Sequence, residues 1–163
     1  MTLEIFRIDD RLVHGQVVVG WCQPCALDFL VLVDDEVARS EWEKELYRMG
    51  VPPEMEIVFD SVESAAARLP EYRADPRAGM LLTGDIDTMA RLVAVAPDIR
   101  SVTVGGVHHK AGRVPRSRYV FLTADEEAKL LELAARGVTV VAQDVPQAAA
   151  TPLEVMLRGE GPT

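Results

Sequence analysis

Short apolar runs alternate with amphipathic stretches along most of the chain. The runs are 3–8, 29–33, 55–59, 80–82, 102–104 and 138–141. They are rich in Val, Ile and Leu, and several carry no polar residue, as strands covered on both faces require. Between them, apolar positions recur at helical spacing over 14–23, 36–49, 61–69, 85–95 and 124–136. The last helix has the most explicit ends. Thr123 and Glu126 stand at capping-box spacing, Leu130, Leu133 and Ala134 share a face, and Gly137 supplies the stop. Trp42 and Tyr47 ride on the 36–49 helix, which must bury one face, and are expected as core and interface filler. Residues 119–122 are expected as a short edge strand. Pro146 and Pro152 mark a tail over 147–163, either packed as a short helix or loose. Strand–helix–strand alternation with short connections predicts right-handed crossovers. The expected fold is therefore a single α/β domain over 1–163: an open, twisted, mostly parallel sheet with helices on both faces.

Composition narrows the partners. At 163 residues the chain can bury one sizeable core, and 48% hydrophobic with 26% charged residues is the mix of an ordinary globular domain. Twenty-six acidic residues against 17 basic ones give a net charge of −9, which repels nucleic acid and anionic membrane surfaces. No apolar run approaches the ~18 residues of a membrane span, and the N-terminus has no basic region leading into an apolar stretch. The expected location is the cytoplasm. Two cysteines cannot form a disulfide scaffold.

Ligands of open α/β sheets sit at the carboxyl ends of the strands. There the chain places Asp9, Asp10, Arg11 and His14 after the first strand and Asp34 and Asp35 after the second. Asp60 follows the third, Thr83, Gly84 and Asp85 the fourth, and Gly105, Gly106, His108, His109 and Lys110 the fifth. A histidine in the first such loop suits phosphoryl transfer, because its neutral ring nitrogen is nucleophilic near pH 7 and transfer needs positioning and charge stabilisation above all. Arg11 offers a fork of donors for phosphate oxygens. Gly15 gives the backbone room, and exposed amides at a helix start favour an anion. From chemistry alone, His14 capping the loop while Arg11 pairs with Asp9 or Asp10 is an equal alternative.

The run Arg7-Ile8-Asp9-Asp10-Arg11-Leu12-Val13-His14-Gly15-Gln16-Val17 closely resembles the phosphohistidine motif of phosphotransferase-system IIB components of the mannose/fructose/sorbose family. Trp21, 33–38, 104–107, 134–138 and Val145-Pro146 continue the likeness, so that it is strongest over 3–146. The resemblance implies that His14 takes a phosphoryl group, at Nδ1, from the phosphohistidine of a IIA partner. His14 would then pass it to a sugar held by the IIC/IID membrane components, with Arg11 as the phosphate-binding neighbour. The family fold agrees with the pattern above. Asp10 is the candidate for orienting the ring or pairing with Arg11. Gly15, Gly105, Gly106 and Lys110 are candidates for the phosphate cradle. No cofactor or metal is expected, and the IIA donor is expected in trans. The expected peripheral contact with the membrane runs through IIC/IID, and a homo-oligomer is compatible with the sequence. Where the family often has Asn-Asp, this chain has Asp34-Asp35, and 83–87 replaces the familiar segment after strand four. A regulatory phosphoprotein uncoupled from transport would share the first step and differ in the second.

Three other constellations compete. Trp21-Cys22-Gln23-Pro24-Cys25 has thioredoxin-like spacing, but it falls at the end of a helix, where no dipole lowers a thiol pKa. The same cysteines with His108 and His109 form a weak zinc pattern. Asp9, Asp10, Asp60, Thr83 and Lys110 follow, in order, the arrangement of a receiver-like phosphoaspartate site, with Asp60 as nucleophile or merely as a helix cap. Finally, 108–118 gathers His108, His109, Lys110, Arg113, Arg116 and Arg118, either as a solvated loop or as positive potential beside His14.

Overall fold

A computed structural model describes residues 3–13 and 18–159. Six parallel strands, β1 (Leu3–Ile8), β2 (Phe29–Val33), β3 (Glu56–Asp60), β4 (Gly79–Thr83), β5 (Ser101–Val104) and β8 (Thr139–Ala142), make up most of one sheet. Its order is β3-β2-β4-β1-β5-β8-β9, where β9 (Thr151–Pro152) closes the edge antiparallel to β8. Crossovers from β1 to β2 to β3 move one way across the sheet, and those from β3 through β4 and β5 to β8 move the other way. With right-handed crossovers, the two directions put their connections on opposite faces. Alternate strand residues serve the two faces accordingly. Leu30, Leu32, Met80 and Leu82 pack with Trp21, Cys22 and Val37 on one side. Phe29, Val31, Val33 and Leu81 pack on the other with α2 (Val62–Ala74), α3 (Ile86–Val95), α4 (Ala124–Ala135) and α5 (Leu153–Leu157). The fully buried β2 and β4 are the apolar runs that the pattern singles out.

Several helices depart from expectation. Of 14–23, the described part is one turn of π-helix at Val18–Cys22. The 36–49 stretch splits into a 3₁₀ turn (Val37–Arg39) and α1 (Glu41–Arg48), because the Ser40 side chain caps the second piece by accepting from the Glu43 amide. Tyr47 packs on the smaller core cluster, but Trp42 is 71% exposed, so it is not core. Helix α2 runs on through Pro70 to Ala74, because burying Leu69 and Tyr72 outweighs the lost amide bond. The capping box of α4 closes as expected, with Glu126 N to Thr123 Oγ1 at 3.0 Å and Thr123 N to Glu126 Oε1 at 2.9 Å, and Gly137 takes φ +91°. The edge strand expected at 119–122 is instead half of a separate ribbon, β6 (Val114–Pro115) against β7 (Phe121–Leu122). The tail is partly ordered as β9 and α5.

At Gly79, where β4 starts between β1 and β2, a Cβ would stand 2.3 Å from the Phe29 ring. That ring is held against Tyr72 with centroids 6.2 Å apart. Gly79→Ala is therefore expected to destabilise the fold by about 1–3 kcal/mol through overpacking. Urea unfolding checks this, and an unchanged midpoint would show that the ring moves freely.

Candidate functional site

The loop after β1 leaves toward one face and the loop after β5 toward the other, opening a crevice at the carboxyl ends of these neighbouring strands. Its floor is an ionic cluster. Arg7 projects from β1 with its side chain wholly buried, and Asp9 is equally buried. Arg7 Nη1 donates to the Gln143 carbonyl at 2.7 Å, and Nη2 donates to the Asp144 carbonyl at 3.0 Å and to Asp9 Oδ2 at 3.2 Å. The Trp21 ring lies 4.6 Å below the guanidinium, and its Nε1 donates to the same Asp144 carbonyl at 2.7 Å. Gly105 makes the cluster possible, since a Cβ there would stand 2.3 Å from Arg7 Nη2 and 2.7 Å from Asp9 Oδ2.

Asp9 carries Arg11 on the outer side of this cluster. Oδ1 accepts from the Arg11 amide at 3.1 Å and from Nε at 2.9 Å, and Oδ2 accepts from Nη2 at 2.7 Å. Burial pushes the Asp9 carboxyl up, but the Arg11 hydrogen bond and the two guanidinium charges outweigh it and hold the group below the ordinary carboxylate range. The Arg11 hydrogen bond to Asp9 raises the arginine in turn. Leu12 then turns through φ +51°, a left-handed conformation costly for a leucine. Its side chain packs over Gly84, where a Cβ would be 3.1 Å from Leu12 Cδ2. His14 and Gly15 lie outside the described residues.

The Asp10 carboxylate faces the loop after β5. It accepts from the His108 amide and from His108 Nδ1, both at 2.6 Å, and so ties the β1 loop to the β5 loop. The Gly105 amide donates to Ile8 at 2.7 Å, as the strand ladder requires, and the Gly106 amide donates to Asp9 Oδ2 at 3.2 Å. The Gly106 amide thus serves the ion cluster and the Gly105 amide the strand ladder. Arg11 and the His108 ring flank Gly106 closely, each about 3.0 Å from where its Cβ would be. Lys110 closes a turn with its carbonyl and exposes its side chain; no hydrogen bond among the described residues joins it to Arg11. Of the basic loop, Arg113 pairs with Glu126 at 2.8 Å and Arg116 with Glu127, so α4 neutralises much of the expected potential. The acidic pair after β2 is already engaged: Asp34 accepts from the Glu36 and Val37 amides, and Asp35 from the Val62 amide and the Arg91 guanidinium.

The competing sites come apart physically. Strands β2 and β4 lie between β3 and β1, so Asp60 sits roughly 14 Å along the sheet from Asp9. It accepts from Ser64 Oγ at 3.0 Å, Arg68 Nη1 at 3.1 Å and the Tyr72 hydroxyl, as a satisfied buried carboxylate. Burial pushes the Cys22 thiol up to about 12 and Cys25 upward as well, the reverse of a reactive thiolate. Among the described residues no three His, Cys, Asp or Glu side chains gather to hold a metal ion. Sequence reasoning missed Arg7 and Asp9 as the centre of the site. The signal was present: an arginine near the end of the first strand, with charges at i, i+2 and i+4.

Residues 3–162 match the family described as PTS system sorbose subfamily IIB component. The N-acetylgalactosamine-specific phosphotransferase enzyme IIB component 1 of Escherichia coli is 34% identical over 86% of this chain and 89% of its own length. The mannose-specific EIIAB component of Escherichia coli is 31% identical over 89% of this chain and 45% of that longer protein. The crystal structure of manxB from Thermoanaerobacter tengcongensis superposes with a TM-score of 0.83 at 32% identity, covering 96% of this chain and 95% of that one. The fold and these matches define an α/β phosphotransferase-system component. The chain belongs to the sorbose-subfamily IIB family of sugar phosphotransferase systems.

Two outcomes follow from the ion cluster and the thiols. Asp9→Asn leaves Arg7 buried without its counter-charge and is expected to cost about 3–5 kcal/mol of stability in urea unfolding at neutral pH. The Asp9 carboxyl is depressed in the fold, so its contribution is full above about pH 4 and disappears as pH falls through the folded value. Asp9→Asn should lack that part of the acid-side decline. Iodoacetamide at pH 8 should label Cys25 well before Cys22, with mass mapping as the readout; equal rates would show that Cys22 is not held in the core.

Proposed function

We propose that the chain is a phosphocarrier that takes a phosphoryl group on His14 from the phosphohistidine of a IIA protein. It passes the group to a sugar held by IIC/IID components, working at the cytoplasmic side of the membrane. The supporting observation is Arg11, three residues before His14, fixed by Asp9 at the carboxyl end of the central strand with 18% of its side chain still exposed. A guanidinium with a fixed Nε and one fixed Nη is oriented before a phosphoryl group arrives, so little reorganisation is needed during transfer. In the first step the P–N bond to the donor imidazole breaks and a P–N bond to the neutral His14 ring forms. In the second, that bond breaks as a sugar hydroxyl attacks phosphorus and gives up its proton. Asp10 acts through the loop, by clasping His108, and Gly15 gives the backbone room beside His14. No metal or cofactor enters either step. The relatives' names carry different sugars, N-acetylgalactosamine and mannose, so the family does not assign one.

Intact mass after incubation with phosphoenolpyruvate, the general phosphocarriers and a IIA protein tests this. One phosphoryl adduct is expected, labile in acid, stable in alkali and absent from His14→Ala. Arg11→Ala should slow its formation about 10–100-fold, the worth of one charge-assisted contact. An alkali-labile adduct that persists in His14→Ala would overturn the proposal.

A further inference from the structure

Helix α1 has no buried residue, and three of its neighbouring large apolar side chains face solvent: Trp42 (71% exposed), Leu46 (55%) and Met49 (82%). At i, i+4 and i+7 they form one stripe about 60° wide on the helix. The stripe ends beside the β1 loop. Gly50 abuts Val13, and a Cβ there would stand 3.4 Å from Val13 Cγ1, one residue before His14. A protein seated on α1 would therefore reach the phosphoryl-bearing loop.

The surroundings select the occupant. Residues 34–48 carry six acidic side chains against three basic ones, and Glu43, with Glu41 paired to Lys44 and Glu45 paired to Arg48, flanks the stripe, so the helix stays net acidic. A second copy would bring the same acidic rim. The stripe also offers only on the order of 400 Å² of side-chain surface, about half of the ~800 Å² per partner of a stable interface. Anionic lipid is repelled by the same rim and by the net charge of −9. Cytoplasmic loops of integral membrane proteins, in contrast, carry an excess of Lys and Arg. The 108–118 loop, on the far side of β1, has no acidic side chain to receive such loops, which leaves the α1 side as their approach. We infer that the Trp42–Leu46–Met49 stripe seats the chain on the basic cytoplasmic loops of its membrane-embedded phosphoryl acceptor. This rests on the phosphocarrier reading above and assigns it a face.

The two half-reactions separate the possibilities. The chain is charged by a IIA protein in solution, then discharged to sugar on phosphatidylethanolamine–phosphatidylglycerol vesicles holding a sorbose-subfamily IIC/IID pair. The variant Trp42→Ser/Leu46→Ser/Met49→Ser is expected to need about tenfold more protein to half-saturate discharge. Its charging rate should stay within about twofold, the size of a surface change outside a contact. Glu41→Lys/Glu45→Lys should weaken discharge in the same way, with a smaller salt dependence than the parent. If the triple variant unfolds early, Met49→Ser alone makes the comparison. Equal losses in both half-reactions, no loss in either, or loss of binding to the same vesicles without IIC/IID would each overturn the assignment. Failure of the parent chain to charge at His14 would instead remove the phosphocarrier reading, and this inference with it.

Discussion

The site depends on one carboxylate. Asp9 accepts from Arg7 beneath it, from Arg11 above it and from the Gly106 amide beside it. It therefore joins β1, the loop that leads to His14 and the end of β5. The arrangement is an expensive one, because two guanidinium groups share a single buried counter-charge. Further donors of Arg7, from Nη1 and Nη2, reach the carbonyls of Gln143 and Asp144 at the end of β8, while its buried Nε has no hydrogen-bond partner among the described residues. Three adjacent strand ends are thus tied through one ion cluster, and the active loop inherits its position from the sheet. Stability and function meet at this residue: the charge that keeps Arg7 tolerable inside the core also aims Arg11 at the crevice.

Much of the fold was legible because the strands are buried on both faces and say so in Val, Leu and Ile. All six parallel strands fall where the apolar runs do, within a residue or two. The helices were less legible where local signals and packing disagree. Ser40 splits a single amphipathic stretch by capping, and α2 ignores Pro70 because Tyr72 has Phe29 and Asp60 to pack against. Strand order was the least accessible feature, and it dismantles the receiver-like arrangement. Asp60 follows a strand in the right sequence position, but that strand lies at the sheet edge.

The site was half legible for a related reason. Residue types and spacing identify the motif around His14, but they do not say which acid serves which base. Asp9 and Asp10 are adjacent in sequence and point to different partners, as successive residues leaving a strand do. One enters the buried cluster with Arg11, and the other reaches His108 on the neighbouring loop. The glycines after β5 are equally ambiguous in sequence. A Gly-Gly pair suits a phosphate cradle, but here Gly105 is needed because Arg7 and Asp9 occupy the space of a side chain.

The same division organises the surface. The β5 loop turns part of its positive charge inward, with Arg113 and Arg116 spent on the first turn of α4, where Glu126 also completes the capping box. On the other side of β1, α1 keeps its acids at the surface and leaves its apolar stripe uncovered. A carrier of the proposed kind releases each partner after every transfer, so a small, exposed stripe suits that role better than a broad permanent interface. The buried ion cluster provides the complement to that weak docking. With Arg11 already oriented by Asp9, the partner need not organise the site, and little of its limited binding energy goes to ordering the loop. In the proposed role, strong internal fixation and weak external contact are therefore two sides of one requirement: a phosphoryl group handled firmly and handed on quickly.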